Sequence, residues 1–149
     1  MPGRQKGFTL IELLVVVSII GVLSTIAMTS LNGARAKARD ARRKTDLYNL
    51  SQAVQSHFYL NGGYPDDASS YPSDWPANYK SQLALYMPNL PIDPTPSGGR
   101  YYGSMRMTWA PDAKCNGHYV LWTYLEAPSA SDEDCGFGSS HFFIVLDEY

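Results

Sequence analysis

One carboxylate, Glu12, lies inside an apolar run from Phe8 to Met28. A lone charge there costs on the order of 2.5–3.5 kcal/mol at a bilayer centre, and less near an end of the run. Such a carboxylate either snorkels to the membrane interface or, where other helices surround it, must find a partner, because an unpaired buried charge is costly. A second group is basic. Arg35, Lys37, Arg39, Arg42, Arg43 and Lys44 crowd one stretch, against Asp40 and Asp46. Such a stretch can grip nucleic-acid phosphates with salt-dependent affinity. It can also be a solvated face or meet acidic surfaces of neighbouring copies, and contact between copies is the preferred use. Asp132-Glu133-Asp134 offers hard oxygen ligands for calcium, but the spacing is not that of an EF-hand, so a solvated acidic loop is expected and no metal is assigned. His57, His118 and His141 are scattered, with no H-E-x-x-H, and no nucleophile elbow or phosphate-binding Gly loop occurs. No catalytic residue and no cofactor is therefore assigned.

These groups are distributed over a segregated chain. Its 149 residues carry a net charge of −2 and are 44% apolar and 17% charged, which argues against disorder. Mean hydropathy is −0.25, the value of a soluble domain. The average conceals opposites. Residues 1–7 carry +2, residues 8–33 carry −1, residues 34–65 carry +4 and residues 66–149 carry −7. The apolar run has no proline, and at ~1.5 Å per residue it is about 30 Å long, enough to cross a bilayer core. A removed secretory peptide would have a shorter apolar core of ~7–15 residues and a small-x-small cleavage site. A retained membrane helix is expected instead.

The helix is expected to continue to about Leu60. Residues 34–60 are rich in helix formers, and Leu47, Leu50, Val54 and Phe58 fall on one face. Asn61-Gly62-Gly63 caps it and Pro65 stops it. Beyond it, 61–74 and 88–100 read as loops. Asp74 would cap a short helix with Pro76 in its first turn and Pro88 after it. Residues 101–109 alternate, with Tyr101, Met105, Met107 and Trp109 on one face. His118–Glu126 suits a central strand and His141–Leu146 another. The fold class is α+β: a long N-terminal helix, membrane-spanning in its first half, packed through its second half on a small antiparallel sheet. Cys115 and Cys135 form a disulfide if this part lies outside the cytoplasm; two free buried thiols are the alternative.

The junction Lys6-Gly7-Phe8-Thr9-Leu10-Ile11-Glu12 carries the most specific signal. A short basic leader ending in Gly, then Phe-Thr-Leu-Ile-Glu and an unbroken apolar helix, resembles type IV pilins and the pseudopilins of type II secretion. Asn61-Gly62-Gly63-Tyr64-Pro65 and Pro91-Ile92-Asp93-Pro94 look like loop motifs of the major secretion pseudopilin. The cysteine pair is similar to the pilin disulfide region. The calcium loop common in secretion pseudopilins has no matching pattern here, and Thr29 stands where many members carry a proline near the end of the apolar run.

The resemblance implies a structural filament subunit rather than an enzyme, with a pilin-like fold. It divides the chain into a leader, 1–7, removed by a prepilin peptidase; a membrane and filament-core helix, 8–28; its amphipathic continuation, 29–60; and a loop and sheet region, 61–149. Cleavage follows Gly7, and Phe8 becomes the N-methylated first residue. The cationic amine of Phe8 on a neighbouring copy becomes the partner of Glu12. The implied partners are copies of the chain, the peptidase, an inner-membrane assembly platform and minor pilins, with DNA not favoured. The implied location is the cytoplasmic membrane, with the globular part outside the cytoplasm, and later a surface or periplasmic filament. The rival is a membrane-anchored surface protein with a ligand- or DNA-binding domain that does not polymerise.

Overall fold

In the computed structural model the described residues are 7–70, 74–95, 98–132, 135–138 and 140–146. Residues 1–6, where a leader is expected, Tyr71, Glu133 and Asp134 lie outside them, as does the side chain of Thr29. The chain divides into two compact units, Met1–Arg35 and Ala36–Tyr149.

The first unit is helical. Helix α1 (Leu10–Asn61) begins there, close to the expected start at Phe8, and runs on into the second unit. Every large apolar side chain described between Phe8 and Leu31 is exposed. This follows from the sequence: leucine, isoleucine and valine surround the helix on all sides, and no described residue buries them. It is the one described helix long and apolar enough to cross a membrane.

The second unit is built on the remainder of α1. Leu47, Leu50 and Val54 are fully buried. Phe58 is half-buried and extends the stripe by stacking on Tyr64 at 4.6 Å, which in turn stacks on Tyr119 at 4.6 Å. The helix ends as the sequence directs. Gly62 takes φ +74° and its N–H donates to the Phe58 carbonyl at 2.8 Å. Helix α2 (Ala77–Leu83) buries Tyr79 and Leu83. Its cap differs from expectation. Pro76 holds the N-cap position without a side-chain bond, while the Asp74 carboxylate accepts from the Trp75 amide and Lys80.

Four antiparallel strands form one sheet in the order β1 (Ala68–Ser69), β2 (Tyr102–Arg106), β3 (Tyr119–Tyr124), β4 (His141–Leu146). β3 is central, as expected. β1 lies in a stretch read as loop; its two residues owe their conformation to pairing with Gly103 and Ser104. Tyr102, Tyr119, Leu121, Phe142 and Leu146 join the helix-side core. Val120, Trp122 and Phe143 join a second core with Met107, Cys115 and Cys135. Trp109 departs from its expected face: β2 ends at Arg106, Met107 still bonds His118 and Gly117, the chain bends at Thr108, and Trp109 is exposed.

Candidate functional site

The start of α1 is the first site. Gly7, Phe8 and Thr9 precede the helix, and Gly7 and Phe8 are exposed. No atom outside the adjoining residues lies within 4 Å of where a Cβ on Gly7 would stand. The Gly7–Phe8 peptide bond is thus open on an irregular segment, which a protease cleft requires. Thr9 and Glu12 then bond reciprocally. The Thr9 amide and hydroxyl donate to Glu12 Oε2 at 2.8 and 2.7 Å, and the Glu12 amide donates to Thr9 Oγ1 at 3.3 Å. This is a capping box. Its signal, Thr-x-x-Glu before an apolar run, is plain in the sequence, and it gives Glu12 a role within its own chain besides any pairing with a neighbour. Oε2 takes both Thr9 bonds; Oε1 takes none among the described residues. One oxygen therefore remains for a donor from another chain.

The basic stretch forms the second site, and here the expectation needs correction. Its cations are neutralised largely within the chain. Arg43 is fully buried. Its guanidinium donates to Asp93 Oδ2 and Oδ1 at 2.7 and 2.9 Å, to Asp40 at 2.7 Å, to Glu126 at 2.8 Å and to Thr95 Oγ1 at 2.8 Å. All five N–H groups are used. Asp40 also accepts from the amides of Glu126 and Ala127. Arg39 meets Glu126 as a fork, at 2.8 and 2.5 Å. Lys44 bonds Asp132, and Arg42 lies 3.6 Å from Asp46. Helix spacing explains the selection. Asp40, Arg43, Leu47, Leu50 and Val54 all lie on the buried stripe, so the cation there must be paired inside the protein.

The electrostatics follow from this geometry. The Arg39 fork, with Arg43 beside it, outweighs partial burial and pulls the Glu126 carboxyl down to about 2. Burial works to raise Asp93, but Arg43 and the Thr95 amide hold it below the usual carboxylate range. Burial likewise opposes ionisation of Asp132, and Lys44 overcomes it. Burial would lower Arg43, yet its bonds to Asp93, Glu126 and Asp40 raise it. Asp132 is thus an ion-pair partner and an acceptor for the Ser129 amide rather than a solvated loop acid.

The remaining candidates stay apart. Cys115 and Cys135 are joined by a disulfide, Cα to Cα 5.8 Å. His57 bonds the Gly63 carbonyl, and His141 lies beside Ser140 and the ring of Tyr124. Among the described residues no three His, Cys, Asp or Glu side chains gather as a metal site. An open groove of about 300 Å³ on the outer sheet face, between Met105, Trp122, Tyr124, His141 and Phe143, is lined by no Asp, Glu, Lys or Arg among the described residues.

Residues 2–28 match the family described as the prokaryotic N-terminal methylation motif. The chain is similar to the type II secretion system core protein G of Aeromonas hydrophila, 31% identical over 97 residues, 61% of this chain and 68% of that protein. It is 34% identical over 97 residues to the core protein G of Klebsiella pneumoniae, covering 61% of this chain and 69% of that one. It is 41% identical over 66 residues to the type IV major pilin protein PilA of Myxococcus xanthus, 44% of this chain but only 30% of the pilin. No solved structure is a significant match.

Proposed function

The chain belongs to the family of type II secretion core protein G and type IV pilins, and on that premise we propose how it is processed, inserted and assembled. It enters the cytoplasmic membrane through residues 8–28, with the globular part outside the cytoplasm. Arg4 and Lys6 hold the leader on the inner side. A prepilin peptidase cuts after Gly7 and methylates Phe8. The leaderless chain then polymerises through its N-terminal helix, with an inner-membrane platform and minor subunits as further partners. Cleavage leaves 142 residues with a net charge of −4.

One observation carries this reading: an exposed Gly7–Phe8 bond stands directly before an apolar helix whose large side chains the described residues leave exposed. In the membrane, lipid covers that helix; in a filament, other copies do. Glu12 keeps Oε2 on Thr9 and offers Oε1 to the amine of a neighbouring Phe8, which sets the axial offset. Between the two filament types, the secretion pseudopilus is favoured. The matches to core protein G cover 61% of the chain, more than 1–61 can hold, so they reach past α1. A DNA-binding role is disfavoured because Arg39, Arg43 and Lys44 are already paired.

The test is mass spectrometry of the mature N-terminus. N-methyl-Phe8 is the expected first residue; Met1 retained in the mature protein rules the reading out and favours a non-polymerising surface protein.

A further inference from the structure

The outer sheet face carries a band of rings. Tyr101 and Tyr124 meet the Trp122 indole at 5.1 and 5.4 Å, and His141 lies 4.4 Å from Tyr124. Together they line the open groove of about 300 Å³ and, beside it, a second of about 500 Å³ that shares Met105 and Trp122. Asp67 borders the second and accepts from the Arg106 amide. Trp122 is only 9% exposed, and its Nε1 has no hydrogen-bond partner among the described residues. A buried N–H without an acceptor is uncommon in a folded protein. The indole reaches from β3 over Gly103 of β2, where a Cβ would stand 2.5 Å from Nε1, so the N–H edge lies where the two grooves join. Rings beside an unused N–H suit a proline-rich segment: the rings hold the pyrrolidines and the N–H takes a carbonyl. Nucleic acid would need cations along the groove.

The chain itself carries such a segment. Pro88, Pro91 and Pro94 recur at every third residue, the period of polyproline II. Residues 88–94 form neither helix nor strand. Their inner side is held by the protein: the Pro91 carbonyl accepts from Trp75 Nε1 at 2.7 Å, and Asp93 is buried against Arg43. Their outer side is uncharged, with Pro88, Asn89 and Ile92 exposed, which matches the uncharged first groove. Trp75 thus makes, to a proline carbonyl of its own chain, the bond that Trp122 lacks. Pro88 to Ile92 spans about 12 Å as polyproline II, and the groove crosses β2 to β4, about 10 Å. The two surfaces cannot meet within one copy. The segment belongs to the helix-side core through Trp75 and Leu90, and the groove lies on the other face of the sheet. For the same reason two copies cannot close reciprocally on each other. A contact of this kind is head-to-tail and repeats.

We propose that the aromatic groove of each copy receives the exposed side of residues 88–92 from a second copy, with Trp122 Nε1 donating to a backbone carbonyl of that segment. This is an interface between globular parts, separate from the packing of the N-terminal helices, and it rests on the polymerising reading above. Trp75 and Arg43 hold the segment in place before contact, so little order is lost when it docks.

Full-length Ile92→Cys and Met105→Cys chains are co-expressed, and their sheared filaments are treated with a short bis-maleimide. The native cysteines are bonded to each other and do not react. Linked dimers are expected from the mixture and not from either variant alone. A chain carrying both changes should give a ladder beyond dimers. Filaments that yield no linked dimers overturn the interface and leave the polymerising reading intact. A double variant that stops at dimers overturns the head-to-tail arrangement. Absence of wild-type polymer from the shear fraction overturns the polymerising reading, and the interface with it. A second pair of variants is read by yield. Ile92→Asp sets a charge against uncharged rings and should lower filament yield about tenfold at an unchanged amount of membrane-held subunit, whereas Ile92→Val keeps it. A wild-type yield from Ile92→Asp overturns the proposal.

Discussion

Glu12 illustrates how one side chain can serve two states. In the single chain it closes the helix start with Thr9. In a filament its free oxygen would receive a neighbour's amine. The two roles separate by mutation. Thr9→Ala removes the hydroxyl partner and should cost the helix start about 0.5–2 kcal/mol, while leaving the carboxylate for assembly. Glu12→Ala removes both roles. Membrane insertion should survive it, since removing a charge favours insertion, but filament yield in a shear fraction should fall sharply. A normal yield from Glu12→Ala would mean that the carboxylate has only its capping role. Gly103 makes a different demand. A Cβ there would stand 2.4–2.6 Å from the Trp122 ring. Gly103→Ala should therefore destabilise the folded protein by about 1–3 kcal/mol, read as a lower urea midpoint with unchanged slope.

Among the elements, legibility tracked how local the cause was. The long helix could be read because Leu47, Leu50 and Val54 recur at its period and Gly62 supplies the left-handed stop. β3 and β4 could be read because their apolar residues are continuous over strand length. β1 could not, because Ala68 and Ser69 carry no strand preference; their partners on β2 impose the conformation. The alternation runs on to Trp109, but the regular ladder ends at Arg106, Met107 makes the last backbone bonds across, to His118 and from Gly117, and the chain bends away at Thr108. The Arg43 cluster was the least visible. It joins α1 to Asp93 and Glu126, 50 and 83 residues away, and sequence shows such charges only as a basic stretch and an acidic region. Its worth can be measured at the same scale. Arg43→Met strands Asp40 and Asp93 as buried anions, and should cost about 3–5 kcal/mol. Adding Asp93→Leu and Asp40→Asn to that variant should recover part of the loss. Failure of any recovery would place the cost in packing rather than in uncompensated charge.

Over the whole molecule, part of the +4 and −7 that looked destined for contacts between copies is drawn together inside one copy, where Arg39, Arg43 and Lys44 pair with Glu126, Asp93 and Asp132. This gives folding an acid dependence whose sign can be worked out. Glu126 titrates near about 2 when folded and near 4.5 when free, while Asp93 and Asp132 are also depressed. Between those values the unfolded chain binds more protons, so stability rises with pH. The contribution is complete above the unfolded carboxylate range and is lost as pH falls toward 2. The melting temperature of the wild type should accordingly be flat from about pH 7 to pH 5 and fall steeply below pH 4. Glu126→Gln, with Arg39 and Arg43 left partly unpaired, should melt lower at neutral pH and show a shallower acid slope. Melting curves of both proteins across pH 2–7 provide the check. Parallel acid slopes would show that Glu126 is not the titrating link between α1 and the loop after β3. A Glu126 carboxylate that stays ionised to pH 4 also leaves its link to Arg39 and Arg43 in place under moderate acidity, so an acid effect on assembly above pH 4 would arise at another joint.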